Sequence, residues 1–383
     1  MPRISIVTTT IRPSDAIGDY ARELDRSGLP GEVIVVGDRR GDAEVAALCG
    51  RLSAGGLAVR HVGVADQRDL LRRAGRLRPF LRWNSIQRRN LGYLLAAESS
   101  TDIMVSVDDD NLPEVGDYLR HHLVVGSTGR FPAVRSGGGW FNVGEALRCE
   151  PPVPLRHRGY PLGRITPPGS HETTHVEGRV VVNAGLWTDD PDIDATTRIA
   201  LHPEVTAIDA PWNKEAVALA PSTWCPFNSQ NTAFHRDVLP ATFLWNMREP
   251  VGHDVIDRYD DIFMSYFARR LIDHFGDLVC YGPPVVEQRR NDHDLLADLT
   301  GEIPGMRLTD GFVDLLRSIT LTATTYFDAA RELTELLQEA VVELGDDRAP
   351  EQAFWLRSLA AVDGWLDAYT ALTRDSAPVP AAR

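Results

Sequence analysis

The stretch Thr101-Asp102-Ile103-Met104-Val105-Ser106-Val107-Asp108-Asp109-Asp110 decides how this 383-residue chain is read. Its apolar, β-branched middle predicts a buried strand. The three carboxylates that close it have no dry resting place, because an unpaired buried charge costs several kcal/mol. They must meet water, a cation or a metal. Magnesium and manganese take oxygen ligands and commonly bind through one or two carboxylates together with phosphates. Asp108 and Asp110, two apart, reach one crevice if the strand relaxes into a turn at its end. A plainer account competes: Asn111-Leu112-Pro113-Glu114 reads as the opening of a helix, where carboxylates are favoured as caps.

Upstream, strand and helix alternate. Residues 4–9 and 32–37 have strand patterns, 13–26 and 42–52 helical ones, and 59–64 offers a third strand. Residues 84–98 read as a long helix leading into the acidic strand. Repeated β-α units predict an α/β fold with a largely parallel sheet covered by helices. Ligands of such sheets gather at the carboxyl ends of strands. Thr9, Thr10 and Asp38 fall at strand ends, as the acidic triplet does, so one crevice is expected to hold them all.

Residues 126–224 are rich in Gly and Pro, and a loop from about 159 to 178 is expected to act as a lid. Beyond about Pro304 the spacing of Leu308, Phe312, Leu315, Leu316 and Ile319 turns helical, and 325–344 and 351–373 follow suit. The expected organisation is a catalytic domain over 1–303, a helical extension over 304–375 that packs on the core or makes a homo-oligomer contact, and a disordered tail over 376–383.

Composition narrows the partners. A net charge of -14 argues against nucleic acid and against an anionic membrane surface. No window has the apolar length of a transmembrane helix, so no membrane insertion is expected. The first residues run straight into a strand pattern with no signal-peptide h-region. Cys49, Cys149, Cys225 and Cys280 are scattered, without a CxxC pair, which fits buried thiols in a reducing compartment. A cytoplasmic location follows as the expectation.

Several other motifs carry chemistry. Arginines crowd residues 68–89, and Arg88 and Arg89, opening the helix before the acidic strand, are the ones expected to face the crevice. Their planar forks suit phosphate. His171-Glu172-Thr173-Thr174-His175 matches a zinc-protease signature, but that chemistry needs a helix, and Pro167, Pro168, Gly178 and two threonines oppose one. Arg258-Tyr259-Asp260-Asp261 precedes a helix over 262–275; the pair of carboxylates suits either a cap or a general base. In Gln288-Arg289-Arg290-Asn291-Asp292-His293-Asp294, the arginines suit a pyrophosphate and His293 suits a metal shell.

In order along the chain, Thr9-Thr10-Ile11-Arg12, Val35-Val36-Gly37-Asp38, Val107-Asp108-Asp109-Asp110, Gly159-Tyr160-Pro161, Ala184-Gly185-Leu186-Trp187, Pro191-Asp192-Ile193-Asp194-Ala195, Asn231-Thr232-Ala233-Phe234-His235-Arg236 and Arg258-Tyr259-Asp260-Asp261 resemble the reversibly glycosylated polypeptides, a family that includes UDP-arabinopyranose mutases. Phe227-Asn228-Ser229-Gln230-Asn231-Thr232 and Gln288-Arg289-Arg290-Asn291-Asp292-His293 are similar to the related plant STELLO glycosyltransferase-like proteins. The likeness covers about residues 4–300. It implies a GT-A-type nucleotide-diphospho-sugar transferase fold and a Mn²⁺ or Mg²⁺ ion on Asp108 and Asp110; His293 is the further metal ligand that its own loop offers. The likeness implies donor-nucleotide contacts at Thr9, Thr10, Arg12, Asp38, Asp108 and Asp109, to which the phosphate-binding chemistry of Arg88, Arg89, Arg289 and Arg290 adds the rest of the expected donor site. It lifts Asp260 and Asp261 from cap to catalytic or acceptor-side carboxylates. It also implies a sugar-carrying arginine shortly after Gly159-Tyr160-Pro161, where Arg164 stands with the spacing shifted by one. The expected activity is metal-dependent transfer of a sugar from a nucleoside-diphosphate donor, a UDP-sugar foremost, to an unidentified acceptor. A UDP-sugar pyranose–furanose mutase is the alternative, and a non-catalytic sugar-nucleotide-binding partner the third reading.

Overall fold

The computed structural model describes residues 1–114, 116–165, 167, 169–291 and 294–373. The expected tail over 376–383 and His293 lie outside the described residues. Strand β1 (Ile4–Thr9), helix α1 (Asp15–Ser27), β2 (Gly31–Val36), α2 (Asp42–Ala54), β3 (Val59–Val62), α3 (Val64–Arg73), α4 (Arg89–Glu98) and β4 (Ile103–Val107) form the alternating first part. β3, β2, β1 and β4 pair in that order, all parallel. Alternation sets this architecture because β1 and β4 are buried on both faces and parallel neighbours need crossovers, which the covering helices supply. α4 lies close on the sheet: a Cβ on Gly92 would stand 2.4 Å from Val7 Cγ1. Only glycine permits that approach.

After the acidic turn, β5 (Asn111–Pro113) pairs antiparallel with the end of a distant strand, and α5 (Tyr118–His122) follows. The helix expected to open at Asn111 is thus a short strand. Pro113 lacks an N–H and sits at a sheet edge, where none is needed.

The middle contains β6 (Thr128–Ser136), β7 (Leu147–Glu150), β8 (His171–Asp189), α6 (Ala195–Leu201), β9 (Glu204–Ile208), β10 (Val217–Leu219), β11 (Asn231–His235) and the hairpin β12 (Glu249–Val251) and β13 (Asp254–Ile256). β8 carries the sheet across this region. Its first half pairs antiparallel with β6, from His171↔Ser136 to Arg179↔Thr128, and its second half pairs with β11. The His171–His175 segment is therefore extended, and the two imidazoles share no helical face. The lid expected over 159–178 is corrected in its second half for the same reason: from residue 171 onward its backbone is committed to a ladder.

The last part runs through α7 (Asp260–Phe275), β14 (Leu278–Gln288), α8 (Leu295–Ser318), α9 (Tyr326–Val342) and α10 (Ala349–Thr373). β14 is parallel to the second half of β8 and ends against β5. Position 304 lies inside α8, and the C-terminal helices share the central core: Trp245 packs edge-on to Phe312 and Trp355, and Trp365 Nε1 donates to the Pro240 carbonyl at 2.8 Å. The result is an α/β fold with a helical C-terminal segment, as expected, but its sheet is mixed: the first four strands are parallel, and β11, β6 and β5 join it antiparallel because their partners come from distant parts of the chain. All four cysteines are free and buried. Among the described residues no helix is long and apolar enough to cross a membrane.

Candidate functional site

A crevice of about 630 Å³ opens at the carboxyl ends of β1, β2 and β4, bounded by the start of α7 and the end of β14. Thr9, Thr10, Arg12, Asp38, Asp108, Asp109, Asp110, Asp260, Asp261 and Arg290 all line it. Most residues expected at the site are therefore brought together by the sheet, which ends these strands side by side.

The acidic run turns as soon as β4 ends. Asp108 N donates to the Gln230 carbonyl at 3.1 Å, and Asn111 N closes back on the Asp108 carbonyl at 3.4 Å. Ser14, the N-cap of α1, donates its hydroxyl to the Asp109 carbonyl. Thr10 Oγ1 lies 2.5 Å from Asp109 Oδ2. Burial raises the Asp109 carboxyl above the ordinary range, and the Thr10 hydrogen bond opposes it. Asp110 is pushed up further, to about 7, by burial and then by repulsion from Asp108 and Asp109, with Arg290 pulling the other way. Asn291 Nδ2 reaches Asp110 Oδ2 at 3.3 Å, but Asp110 Oδ1 is buried with no hydrogen-bond partner among the described residues. An orphaned carboxylate oxygen beside two like charges fits a cation. Among the described residues no preassembled cluster of three or more His, Cys, Asp or Glu ligands exists. A cation that completes its shell with substrate phosphates needs only one or two protein carboxylates.

The arginines divide. Arg89 is buried beneath the turn, paired with Asp108, and donates to the Ser229 carbonyl at 3.0 Å. Burial alone would lower its pKa; Asp108 overrides this and holds it above its ordinary value. Arg88 is also buried but points away from the crevice. Its Nε donates to Gln67 Oε1 at 2.8 Å, and its guanidinium lies 3.7 Å from the Trp83 ring centre. Arg290 lines the crevice and pairs with Asp190 at 2.9 Å. Arg289 does not line it; it is 63% exposed and pairs with Glu287. Asp38, buried at the end of β2, accepts from Arg39 N at 2.6 Å and Ser85 N at 3.3 Å.

At the opposite wall, Asp260 and Asp261 open α7, both buried. Asp261 accepts from Arg158 Nη1 at 3.1 Å, from Arg158 Nη2 at 3.2 Å and from Ser229 N at 3.0 Å. Arg158 also forks onto Asp192, Nε to Oδ1 at 2.8 Å and Nη2 to Oδ2 at 3.0 Å. Burial opposes the charge on Arg158, but Asp192 and Asp261 hold it well above its ordinary pKa. Asp260 has no such arginine fork among the described residues: burial and then Asp261 raise it to about 8, with Arg158 opposing. Gly159 makes this wall possible. Its φ is +78°, and a Cβ there would stand 2.3 Å from Ile262 Cγ2, so the chain after Arg158 turns directly over α7. Arg258, at φ +64°, donates to Glu302 at 2.9 Å and pairs with Asp298 at 3.3 Å. Non-glycine residues in that region cluster where function over-determines them.

Arg164 is not part of this wall. Its Nη2 lies 2.5 Å from Asp314 Oδ1 on α8, and it does not line the crevice. Among the lining residues that sequence reasoning missed, Arg158 makes the most of the wall's contacts. Its signal was available, since it directly precedes the Gly159-Tyr160-Pro161 segment, and its partner Asp192 follows Pro191 in another quoted segment.

The family model described as "Reversibly glycosylated polypeptide" matches residues 172–373, more than half of the chain. Among curated proteins, "UDP-arabinopyranose mutase 1" of Arabidopsis thaliana is 25% identical over 198 residues, 50% of each chain. "Probable glycosyltransferase STELLO2" of the same plant is 24% identical over 241 residues, 56% of this chain and 28% of that protein. The chain thus spans about half the length of the mutase it matches, and less of the STELLO protein. Among solved structures, the mannosyltransferase PcManGT from Pyrobaculum calidifontis, in complex with GDP-Man and Mn2+, is 14% identical at a TM-score of 0.35, covering 94% of this chain and 86% of that one.

Proposed function

The chain belongs to the reversibly glycosylated polypeptide family, and from that premise we propose that its crevice binds a nucleoside-diphosphate sugar, a UDP-sugar foremost, with a divalent cation and transfers the sugar to an acceptor hydroxyl. The observation that carries this reading is Asp110, which lines the same crevice as Asp108 and the Asp260-Asp261 pair and keeps one buried carboxylate oxygen without a hydrogen-bond partner among the described residues. Charge supports it. The crevice is lined by six arginines and eight aspartates, so even with Asp260 protonated the lining has no positive excess to receive a diphosphate. Mn²⁺ or Mg²⁺ held by Asp108 and Asp110 would supply that charge and stabilise the leaving diphosphate.

The chain's own residues have separable work. Arg89 fixes Asp108 from beneath, and Arg290 offers the diphosphate a second cation. Thr10 and Ser14 hold the turn. Asp38 is the contact for ribose or base. Asp260, protonated near neutral pH, is the group that exchanges a proton with the acceptor hydroxyl or the leaving oxygen. Arg158 fixes Asp261 and thereby the first turn of α7, which carries Asp260. A cytoplasmic location accords with the chain's negative charge and free thiols.

The mutase names among the relatives support a second reading, ring interconversion of a UDP-pentose without an external acceptor. Incubation with a UDP-pentose alone separates the two: ring-size change without UDP release favours the mutase. The primary test is a thermal-shift panel of UDP-, GDP- and TDP-sugars with and without Mn²⁺. A ligand at a hundredfold excess over its Kd stabilises the native state by about 2.7 kcal/mol. A UDP-sugar shift that needs Mn²⁺ supports the reading; no shift from any nucleotide sugar, or one indifferent to metal and chelator, sinks it.

A further inference from the structure

The C-terminal helices line a second space, separate from the crevice and open to solvent beside Arg348. α8, α9 and α10 converge on a cavity of about 170 Å³. Its walls are leucines and a valine of α8 and α9, with Trp355 of α10 across from them. Protein interiors seldom leave a void larger than a water molecule, because each missing contact forfeits dispersion energy. A void walled by apolar groups stays dry, and one of about 150 Å³ takes a molecule the size of benzene.

Two residues give the cavity a direction. Gly311 of α8 faces it, and a Cβ there would meet only one Arg348 nitrogen, at 3.7 Å. Arg348 sits on the short turn Asp346–Arg348 between α9 and α10 and is the one charged residue among those lining the space. Its present partner is Glu351, at 2.6 Å on a half-exposed side chain, a kind of pair worth little in water. A guanidinium at the wall of an apolar cavity selects a carboxylate.

We propose that this cavity binds a short-chain carboxylic acid of about six carbons, its tail between the three helices and its carboxylate on Arg348 in place of Glu351. The claim is independent of the crevice. Hexanoate, 1-hexanol and hexylamine are titrated into the full chain by calorimetry and thermal shift. Hexanoate should bind saturably at one site and raise Tm by about 2 °C at tenfold excess over its Kd, while hexylamine does not bind. Arg348→Met should weaken hexanoate about tenfold, to the level of hexanol. Gly311→Leu should abolish binding of both by filling the space, without loss of Tm, since its Cβ has room and leucine is the better helix former. Absence of saturable hexanoate binding overturns the proposal, as does full-strength binding by the Gly311→Leu variant. Equal binding of hexanol and hexanoate to the unmodified chain overturns the carboxylate assignment.

Discussion

Two groups of adjacent aspartates face each other across the crevice, and their surroundings give them opposite properties. At the end of β4, Asp108 has Arg89 beneath it, while Asp110 keeps a buried oxygen with no hydrogen-bond partner among the described residues and a pKa pushed to about 7. At the start of α7, Asp261 takes the fork of Arg158 and the amide of Ser229, while Asp260 is left to be raised to about 8. In each group one carboxylate is satisfied and its neighbour is not. The first neighbour is open to a cation, the second to a proton. Identical side chains therefore acquire distinct chemistry from what donates to them, not from their order in the chain.

The largest expected effect breaks the first side of that comparison. Asp108→Asn with Asp110→Asn should lower nucleotide-sugar turnover by about 10³-fold or more and erase the Mn²⁺-dependent thermal shift, while the fold persists. Turnover within tenfold of the parent would mean the turn has no part in the chemistry. Arg158→Met addresses the second side. It strands Asp192 and Asp261 as buried charges and should cost about 3–5 kcal/mol in denaturant unfolding; a cost under 1 kcal/mol would show that the fork is not what holds the wall.

Asp260→Asn sharpens the contrast between cation and proton. The folded chain retains a proton on Asp260 that the unfolded chain has released between about pH 4 and pH 8. Its contribution is complete below about pH 4 and is lost as pH rises through about 8. The Tm of the Asn variant should therefore gain on the parent as pH rises from 5 to 8.5, alongside an approximately 10²-fold loss of turnover. A Tm difference flat across that range would contradict the raised carboxyl. The smallest effect belongs to Arg164→Ala. Its exposed pairing with α8 predicts under about 1 kcal/mol of stability and turnover within twofold. A large loss of turnover would return Arg164 to the site.

The Asp108 side of the crevice was legible in the sequence because its determinants are local. Residues 101–110 predict both a buried strand and a polar end, and β-α alternation brings Thr9, Asp38 and Asp108 to one edge. The opposite wall was legible only as fragments. Arg158 is joined to Asp192 across 34 residues and to Asp261 across 103, so no local window contains the pairing. β5 was misread for the same reason: its partner lies in β14, and strand formation there depends on an edge supplied from elsewhere. Arg164 failed differently. Its segment was found, but a 3-10 turn aims its side chain at Asp310 and Asp314 on α8.

α8 has a consequence for how this architecture can be divided. Glu302 holds Arg258 on the crevice side, and three residues later Gly305 comes so near Tyr259 that a Cβ would stand 2.4 Å from its ring. At its far end, Arg317 lies over both Trp140 and Trp224, 4.7 and 4.6 Å from their ring centres. A chain ended after residue 303 would cut this helix between the two residues that brace the Asp260 turn. A graft of either half onto a foreign scaffold must therefore bring α8 along.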